Sequence, residues 1–258
     1  MADTVRRLLR GLGQTLMTLG VVLALFCVYE LQVTNLYTDG QQEVLADELQ
    51  DTWSGPVPPV PPPSPSPTPA PTTPVPTPTI APPPTPAPAV DTVAVAAVTG
   101  GPLTVLRVPR FGDDYRKVVV EGVGVRQLKR GPGHYPGTAL PGALGNVVLS
   151  GHRTTYGAPF NRLDELRPGD ALVLETRDSW FTYRMTGVRI VPPTAVEVTY
   201  PVPGRRGAAP RERLLTLTTC HPEYSARQRM VVSASLEQAL RKGPGVVPPA
   251  LSTSTGGA

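Results

Sequence analysis

One cysteine and one arginine in the C-terminal half of the chain have a spacing that suits nucleophilic chemistry. Cys220 ends an alternating stretch typical of a strand, and Arg229 opens the next such stretch nine residues later. If the residues between them form a hairpin loop, the two face each other about 4.5–5.5 Å apart. An arginine there lowers the pKa of a thiol and can donate to a developing oxyanion. Arg227 falls in the loop and is the weaker candidate.

A base for this thiol has to come from one of three histidines. His221 adjoins Cys220, and adjacent side chains of a strand point to opposite faces, which argues against it. His152 follows the predicted strand Asn146–Gly151, and from a strand end it can lean over a neighbouring strand. We therefore expect His152 to be the general acid/base. His134 lies in a glycine-rich stretch, where we expect a loop residue without an evident partner.

Structural interpretations of the same residues stay open at this point. A lone cysteine on a strand is usually a small buried hydrophobe, a histidine at a strand end commonly has only a hydrogen-bonding role, and Arg229 could pair with Glu223 on the surface. Metal binding is not predicted, because a structural zinc site needs four ligands and these residues lack ligand-like spacing.

The elements that must position these residues are mostly short strands. Only Val123–Lys129 and Pro159–Leu166 look helical, and few helices with many strands favour a mainly-β barrel or sandwich. Stretches rich in Val, Leu and Thr between Gly or Pro predict eight strands: Leu103–Val108, Val118–Val120, Asn146–Gly151, Ala171–Glu175, Trp180–Ile190, Ala195–Val198, Arg213–Cys220 and Arg229–Leu236.

The N-terminus carries a predicted membrane segment. Gly11–Tyr29 has no charged residue, and at ~1.5 Å per residue it is long enough for a bilayer core. Three arginines precede it and acidic residues follow, so residues 1–10 are expected in the cytoplasm and everything after the helix, predicted over 11–30, outside the cell. No small-x-small cleavage site follows the apolar run, so we expect an uncleaved single-pass anchor.

Composition divides the rest of the chain. Residues 31–99 contain an acidic juxtamembrane segment, which could be a short helix, and the run Pro56–Pro88, which holds more than half of the 34 prolines. Such a run favours polyproline II at ~3.1 Å per residue, so we expect a disordered stalk on the order of 100 Å that carries the domain into the wall. The domain is expected over 100–243, and a disordered tail over 244–258.

Charge indicates a partner class for the domain. The chain has a net charge of +4, and its basic residues concentrate in the predicted domain. A basic exported domain could adhere to anionic wall polymers without any catalysis, which is the main non-enzymatic alternative. A solvated basic surface is the simpler interpretation, and no nucleic-acid partner is expected.

Two strings then resemble a known family. GHRTTYGAPFNRLDELRPGD (151–170) and TLTTCHPEYSARQRMVV (216–232) are similar to the sortases, the membrane-anchored cysteine transpeptidases of Gram-positive bacteria. The proline-rich run and GPGHYPGTALPG (131–142) are most similar to class E, the housekeeping type of actinobacteria. The resemblance implies an eight-stranded sortase β-barrel with Cys220 as nucleophile, His152 as general acid/base and Arg229 as substrate and oxyanion ligand.

The resemblance also implies a reaction. A C-terminal sorting signal of the LPxTG type, or LAxTG in class E, would be cleaved after Thr through a Cys220 thioester and passed to an amine of a lipid II-type peptidoglycan precursor, without a cofactor. Ala exposes an N–H that Pro lacks; Tyr135 is the candidate acceptor for it, and Thr219 a second candidate substrate-binding residue. An L,D-transpeptidase is the catalytic alternative, but its arginine would follow within two residues, where Pro222 stands.

Overall fold

The computed structural model describes residues 2–29, 34–55 and 99–252. Two long helices come first, and a set of eight strands with short helical turns follows. The predicted stalk Pro56–Pro88 lies outside the described residues, as does the end of the predicted tail, residues 253–258.

Helix α1 spans Ala2–Val28 and contains the predicted membrane segment. By length and composition it could cross a membrane. An 18-residue stretch of the helix has a mean hydropathy of 1.9, and no residue of that stretch is buried. The helix begins well before Gly11 because arginine and leucine, which dominate the preceding residues, favour helix. At ~1.5 Å per residue it measures about 40 Å, which exceeds the ~30 Å of a bilayer core.

Helix α2 spans Thr34–Ser54, so the acidic juxtamembrane segment is helical as expected. Leu45 and Leu49 are one turn apart and therefore share a face. Both are buried in an apolar cluster with Val105, Val118 and Val120 of the barrel. The sequence did not predict this docking, which makes α2 part of the folded domain.

The strands form a closed barrel, as predicted. Their bounds are β1 Pro102–Arg107, β2 Arg116–Glu121, β3 Gly133–His134, β4 Gly145–Ser150, β5 Ala171–Glu175, β6 Ser179–Val191, β7 Arg213–His221 and β8 Gln228–Arg241. Around the barrel the order is β1-β2-β3-β4-β7-β8-β6-β5. The pairs β2–β3 and β4–β7 are parallel and the remaining described pairs antiparallel. Closure removes the exposed strand edges that invite aggregation.

The barrel interior is filled by apolar side chains. On the parallel pair, Val147 lies opposite Leu215 and Leu149 opposite Leu217, and all four are fully buried in the main cluster. Because side chains alternate along a strand, the residues between them point outward. The interior is therefore a packed core, and the outer surface is left for chemistry.

Seven of the eight predicted strands are present with shifted ends, and one prediction was wrong. Ala195–Val198 lies at a 3₁₀ helix, Val196–Thr199. Ala195 and Val198 are three residues apart and both pack on Val231, which fits one side of a helical turn and not an alternating strand.

Strand β3 takes the eighth place and is only two residues long. A side chain at Gly133 would overlap the carbonyl oxygen of Gly122, so this close approach needs glycine. Two residues give no periodicity, which is why the sequence did not indicate this strand.

The helical segments of the domain are shorter than predicted. Val123–Lys129 contains helix α3, Val125–Leu128, and Pro159–Leu166 contains only a 3₁₀ turn, Leu163–Glu165. The tail expected to be disordered from residue 244 is ordered as far as Ser252 and ends in helix α4, Pro249–Ser252. Pro248 is buried, and burial of this kind offsets the entropy lost on ordering.

Candidate active site

The β7–β8 hairpin carries the predicted cysteine and arginine. Its register pairs Cys220 with Arg229 and His221 with Gln228. The pairing expected from the nine-residue spacing is therefore present. Arg227 lies in the loop between the strands and is exposed, again as expected.

The parallel pair β4–β7 brings His152 to the same end of the barrel. Ser150 pairs with Thr218, and the Gly151 N–H extends the pairing by donating to the Thr218 carbonyl at 3.1 Å. Continuing this register by two residues places His152 beside Cys220, on strands about 4.8 Å apart.

All three residues project from the outer surface of the barrel. Each lies three positions along the chain from a residue of the buried core. The pairs are Cys220 with Leu217, His152 with Leu149 and Arg229 with Val232. An odd offset reverses the direction of the side chain in extended backbone. The three groups therefore share one outer face, where a peptide can reach them without entering the core.

The connection between β6 and β7 forms a wall beside this face. The Asn146 side-chain amide donates to the carbonyls of Val198 at 3.0 Å and Tyr200 at 3.2 Å. Its oxygen accepts the hydroxyl proton of Thr216 at 2.8 Å, so the polar groups under the connection are paired. The wall is thus fixed to the strands that lead toward Cys220.

Thr219, the second predicted substrate-binding residue, is buried. It is 2% exposed, and its hydroxyl donates to the Gly151 carbonyl at 2.8 Å. As the neighbour of Cys220 it points to the opposite face. In this position the Thr219 side chain links the strand end that carries the cysteine to the one that precedes the histidine.

His152 is partly buried and stands in a basic neighbourhood. Its ring lies 5.1 Å from the ring of Tyr156, and the Lys129 amine lies 5.1 Å from that same Tyr156 ring. Burial and then the positive charge of Lys129 lower the pKa of His152 below its ordinary value. The neutral imidazole, which can accept a proton, is therefore the favoured form at neutral pH.

Arg229 holds the hairpin loop with one nitrogen. Its Nη1 donates to the carbonyls of Ala226 at 2.9 Å and Gln228 at 3.0 Å. Within the described ranges its Nε and Nη2 groups make no hydrogen bond, and it forms no ion pair with Glu223. Since a guanidinium carries five N–H donors, three are left for a bound carbonyl or oxyanion.

Arg153 supports the site from the core side and was missed by sequence reasoning. It is 5% exposed, and its Nη2 lies 3.1 Å from the Asp164 carboxylate. Its Nη1 lies 3.4 Å from Nδ1 of His221 and 3.7 Å from the sulfur of Met230. His221 is thus engaged on the face opposite Cys220, as strand geometry predicted. The alternation of side chains next to His152 was the available signal for Arg153.

Tyr135 is not brought beside the cysteine. Its N–H donates to the Val148 carbonyl at 2.8 Å, and Val148 pairs with Thr216, four residues before Cys220 on β7. At ~3.3 Å per residue this is about 13 Å along the strands. His134 faces the core, so Tyr135 stands on the same outer face as the three residues above, and it is 37% exposed.

His134 has partners, contrary to the prediction. It is 2% exposed; its Nδ1 lies 2.6 Å from the Glu121 carboxylate and its Nε2 lies 3.0 Å from the Ala139 carbonyl. The Thr138 hydroxyl also lies 3.0 Å from Nε2, so both ring nitrogens have hydrogen-bonding partners. The residue ties β3 to β2 inside the barrel and takes no part in the site. Among the described residues no group of three or more His, Cys, Asp or Glu could hold a metal ion.

Comparison with known proteins gives one family. The sortase-domain family model matches residues 106–237, just over half of the chain. Sortase SrtE1 of Streptomyces coelicolor is 32% identical over 232 residues, which cover 86% of this chain and 55% of SrtE1. The chain therefore spans little more than half the length of that relative. Sortase SrtE2 of the same organism is 28% identical over 235 residues, covering 87% of this chain and 80% of SrtE2.

Solved structures agree with the sequence comparisons. Sortase E from Streptomyces avermitilis is 43% identical with a TM-score of 0.54, covering 60% of this chain and 99% of its own. Sortase E1 from Streptomyces coelicolor, solved with a tripeptide in the active site, is 36% identical with a TM-score of 0.55 at the same coverage. The SrtF sortase from Corynebacterium diphtheriae reaches a TM-score of 0.59 at 33% identity, covering 61% of this chain and 95% of its own.

Proposed function

The chain belongs to the sortase family, among relatives of class E, and from this premise we propose that it is a membrane-anchored cysteine transpeptidase that joins sorting-signal proteins to a cell-wall amine. One observation carries the proposal: Cys220, His152 and Arg229 stand on one outer face at the same barrel end. Each of the three supplies a different part of acyl transfer.

The first half-reaction forms a thioester. Cys220 Sγ attacks the carbonyl of the signal's Thr, and neutral His152 accepts the thiol proton. The free N–H groups of Arg229 donate to the oxygen on which negative charge develops. When the intermediate collapses, the Thr–Gly bond breaks and His152 returns the proton to the leaving amine. The lowered pKa of His152 supports this order, because the ring begins neutral.

The second half-reaction transfers the acyl group. The amine of the acceptor attacks the thioester carbonyl, the carbon–sulfur bond breaks, and Cys220 leaves as thiolate. The proton lost by the amine passes to His152 and then to the sulfur, which restores the starting state. We assign the acceptor to an amine of a lipid II-type peptidoglycan precursor, which lies at the membrane that α1 is suited to enter.

The position of Tyr135 supports an LAxTG-type signal. With the signal's Thr at Cys220, the residue two places before it lies about 7 Å back in an extended peptide. The backbone of Tyr135 lies about 13 Å from Cys220 along the strands, on the same outer face. The Tyr135 side chain can extend over part of that distance toward the peptide. Its oxygen is then a candidate acceptor for the N–H that Ala offers and Pro lacks.

The anchor and its orientation complete the proposal. Arg6, Arg7 and Arg10 lie at the start of α1, and acidic residues follow the helix. The positive-inside rule then places the N-terminus in the cytoplasm and the barrel outside, where sorting-signal proteins and wall precursors meet.

The test uses the full chain in detergent micelles. Peptides with an LAxTG or LPxTG signal are incubated with and without a short amine, and the products are identified by mass spectrometry. We expect a product joined to the amine after Thr, and none from Cys220→Ala. Equal product from the Cys220→Ala chain, or no acyl-enzyme with either peptide, would overturn the proposal.

A further inference from the structure

The most specific contacts outside the active site belong to α2. Val118 of β2 is left without a strand partner on one side because β3 covers only Val120 and Glu121. The Gln42 side chain fills this gap. Its oxygen accepts from the Val118 N–H at 2.8 Å, and its amide donates to the carbonyls of Val118 at 3.0 Å and Arg130 at 2.8 Å. A side chain at Gly131 would overlap the Gln42 amide, so the barrel surface is shaped to this contact.

The first turns of α2 lie at the active-site end of the barrel. Asn35 accepts a hydrogen bond from the N–H of Gly157 at 2.8 Å, and Gly157 belongs to the loop that begins at His152. Thr38 donates to the carbonyl of Lys129 at 2.9 Å, and Lys129 is the residue whose charge acts on His152. The beginning of α2 is therefore adjacent to the loop that carries the catalytic histidine.

The last turn of α2 lies at the opposite end. Strand β8 begins beside the active site at Gln228 and ends at Arg241, and the amine of the following residue, Lys242, lies 4.2 Å from the ring centre of Trp53. The carbonyl of Gly55 accepts from Arg177 in the β5–β6 turn. With 21 residues at ~1.5 Å each, α2 spans about 30 Å, from the active-site end to the far end.

Covalent geometry then limits where the barrel can be. Helix α1 ends at Val28 and α2 begins at Thr34. From Tyr29 to Thr34 the chain has five peptide steps, which reach about 18 Å at most. The proline-rich segment comes after α2 and returns the chain to β1, so it does not separate the barrel from α1.

We propose that α2 holds the barrel at the membrane with its active-site end toward the lipid surface, in place of the expected stalk that carries it into the wall. This rests on the proposed role of α1 as the anchor. Four apolar side chains at that end support a lipid surface as the neighbour, since they are 51–77% exposed: Leu36, Tyr37, Val125 and Tyr224. Tyrosine favours the membrane interface, and the exposed Arg126 adds a positive charge beside Val125.

The functional consequence is access to substrates that are still held by the bilayer. A sorting-signal protein retained in the membrane and a lipid-linked amine both present their reactive groups close to the headgroups. A site held within one short connection of α1 meets them there.

The test measures height above the bilayer. The full chain carrying Cys27→Ser and Cys220→Ala is placed in nanodiscs of phosphatidylcholine and phosphatidylglycerol at 3:1, with a donor dye on Glu223→Cys or Asp178→Cys. Energy transfer to an acceptor on lipid headgroups should be stronger from position 223, at the active-site end, than from position 178, at the far end. Equal transfer, or stronger transfer from 178, would overturn the proposal.

Three variants distinguish a barrel held close to α1 by the short Tyr29–Thr34 connection from a barrel carried by the proline-rich stalk. Inserting twelve Gly/Ser residues after Tyr29 should weaken transfer from both positions, and Leu45→Asp with Leu49→Asp should remove the difference between them. Deleting residues 60–84 leaves 22 residues between α2 and β1. This deletion should change neither the transfer from the two positions nor the difference between them. A deletion that alters the height while the insertion does not would favour the stalk and contradict the proposal.

This outcome is independent of catalysis. Co-elution with nanodiscs reports whether α1 anchors the chain, and peptide turnover by the Cys220-containing protein reports the proposed transpeptidase activity. An anchored, active chain without a difference in transfer would refute only the placement of the barrel, whereas an inactive chain with the expected difference would refute only the reaction.

Discussion

The hydroxyl of Thr219 donates to the carbonyl of Gly151 at 2.8 Å, and this bond joins the residue before the cysteine to the residue before the histidine. Among the described residues, the other links between the two strands at this end are the backbone pairing and the longer contact of Arg153 with His221 at 3.4 Å. The relative position of Cys220 and His152 therefore depends on a buried side chain that faces away from both.

Thr219→Val should lower turnover more than it weakens substrate binding. Valine keeps the shape but leaves the buried Gly151 carbonyl unpaired, which costs about 1–3 kcal/mol. We expect kcat to fall with KM nearly unchanged, and thermal melts to show the loss of stability. Thr186→Val is the control, because the hydroxyl it removes donates to Ser233 at an exposed position. Equal effects on kcat from the two variants would argue against a positioning role.

Arg229→Lys should lose most activity while the barrel stays folded. A lysine ammonium lacks the planar fork that lets Arg229 hold the loop with Nη1 and donate with its other groups. Loss of one oxyanion donor costs about 10²–10³ in rate, or roughly 2.7–4 kcal/mol. The rate of acyl-enzyme formation is the measurement. Arg227→Lys, in the exposed loop, should stay within about 0.5 kcal/mol, and similar rates for both variants would remove Arg229 from the mechanism.

Lys129→Met should move the acidic limb of the activity profile to higher pH. The positive charge of Lys129 helps to lower the pKa of His152, so its removal raises that pKa. Neutral His152 is the form that accepts the thiol proton, so activity is lost as pH falls through its pKa. The pH dependence of kcat/KM reports this group. Arg126→Met, in the adjacent helix α3, should leave the limb in place, and an unchanged limb in Lys129→Met would contradict the electrostatic account.

Tyr135→Phe should reduce preference for LAxTG over LPxTG peptides. The phenol oxygen is the proposed acceptor for the Ala N–H, and a hydrogen bond of this kind is worth about 1 kcal/mol, or roughly 5-fold. We expect kcat/KM to fall for the Ala peptide and to stay constant for the Pro peptide. Competition between both peptides in one reaction measures the ratio directly. An equal fall for both would show that the ring, and not its hydroxyl, matters.

The common placement of Cys220, His152 and Arg229 was largely predictable from the sequence because its determinants are local. The nine residues from Cys220 to Arg229 fix a hairpin register, and alternation within β7 excludes His221 without any knowledge of the tertiary fold. His152 could be placed near Cys220 because it directly follows a segment with clear strand composition. In each case the signal spans fewer than about ten residues.

Features that depend on distant contacts were missed. The Ala195–Val198 segment has strand composition. It forms a helical turn instead, because Ala195 and Val198 both pack on Val231. His134 lies beside Glu121 because β3 pairs with β2. At two residues, β3 is too short to be recognised from the sequence. The docking of α2 rests on Leu45, Leu49 and Gln42 meeting strands that begin some fifty residues later. None of these pairings leaves a periodic pattern.

The parallel pairing of β4 with β7 also bears on how the protein matures. Thr219 and Gly151 are 68 residues apart in the chain, and contacts of such long range form late because loop closure must precede them. A chain that has not yet paired these strands thus carries Cys220 before His152 lies beside it. On the proposed function, we expect thioester formation to begin only once the barrel has closed, so that a partly folded molecule does not capture sorting signals.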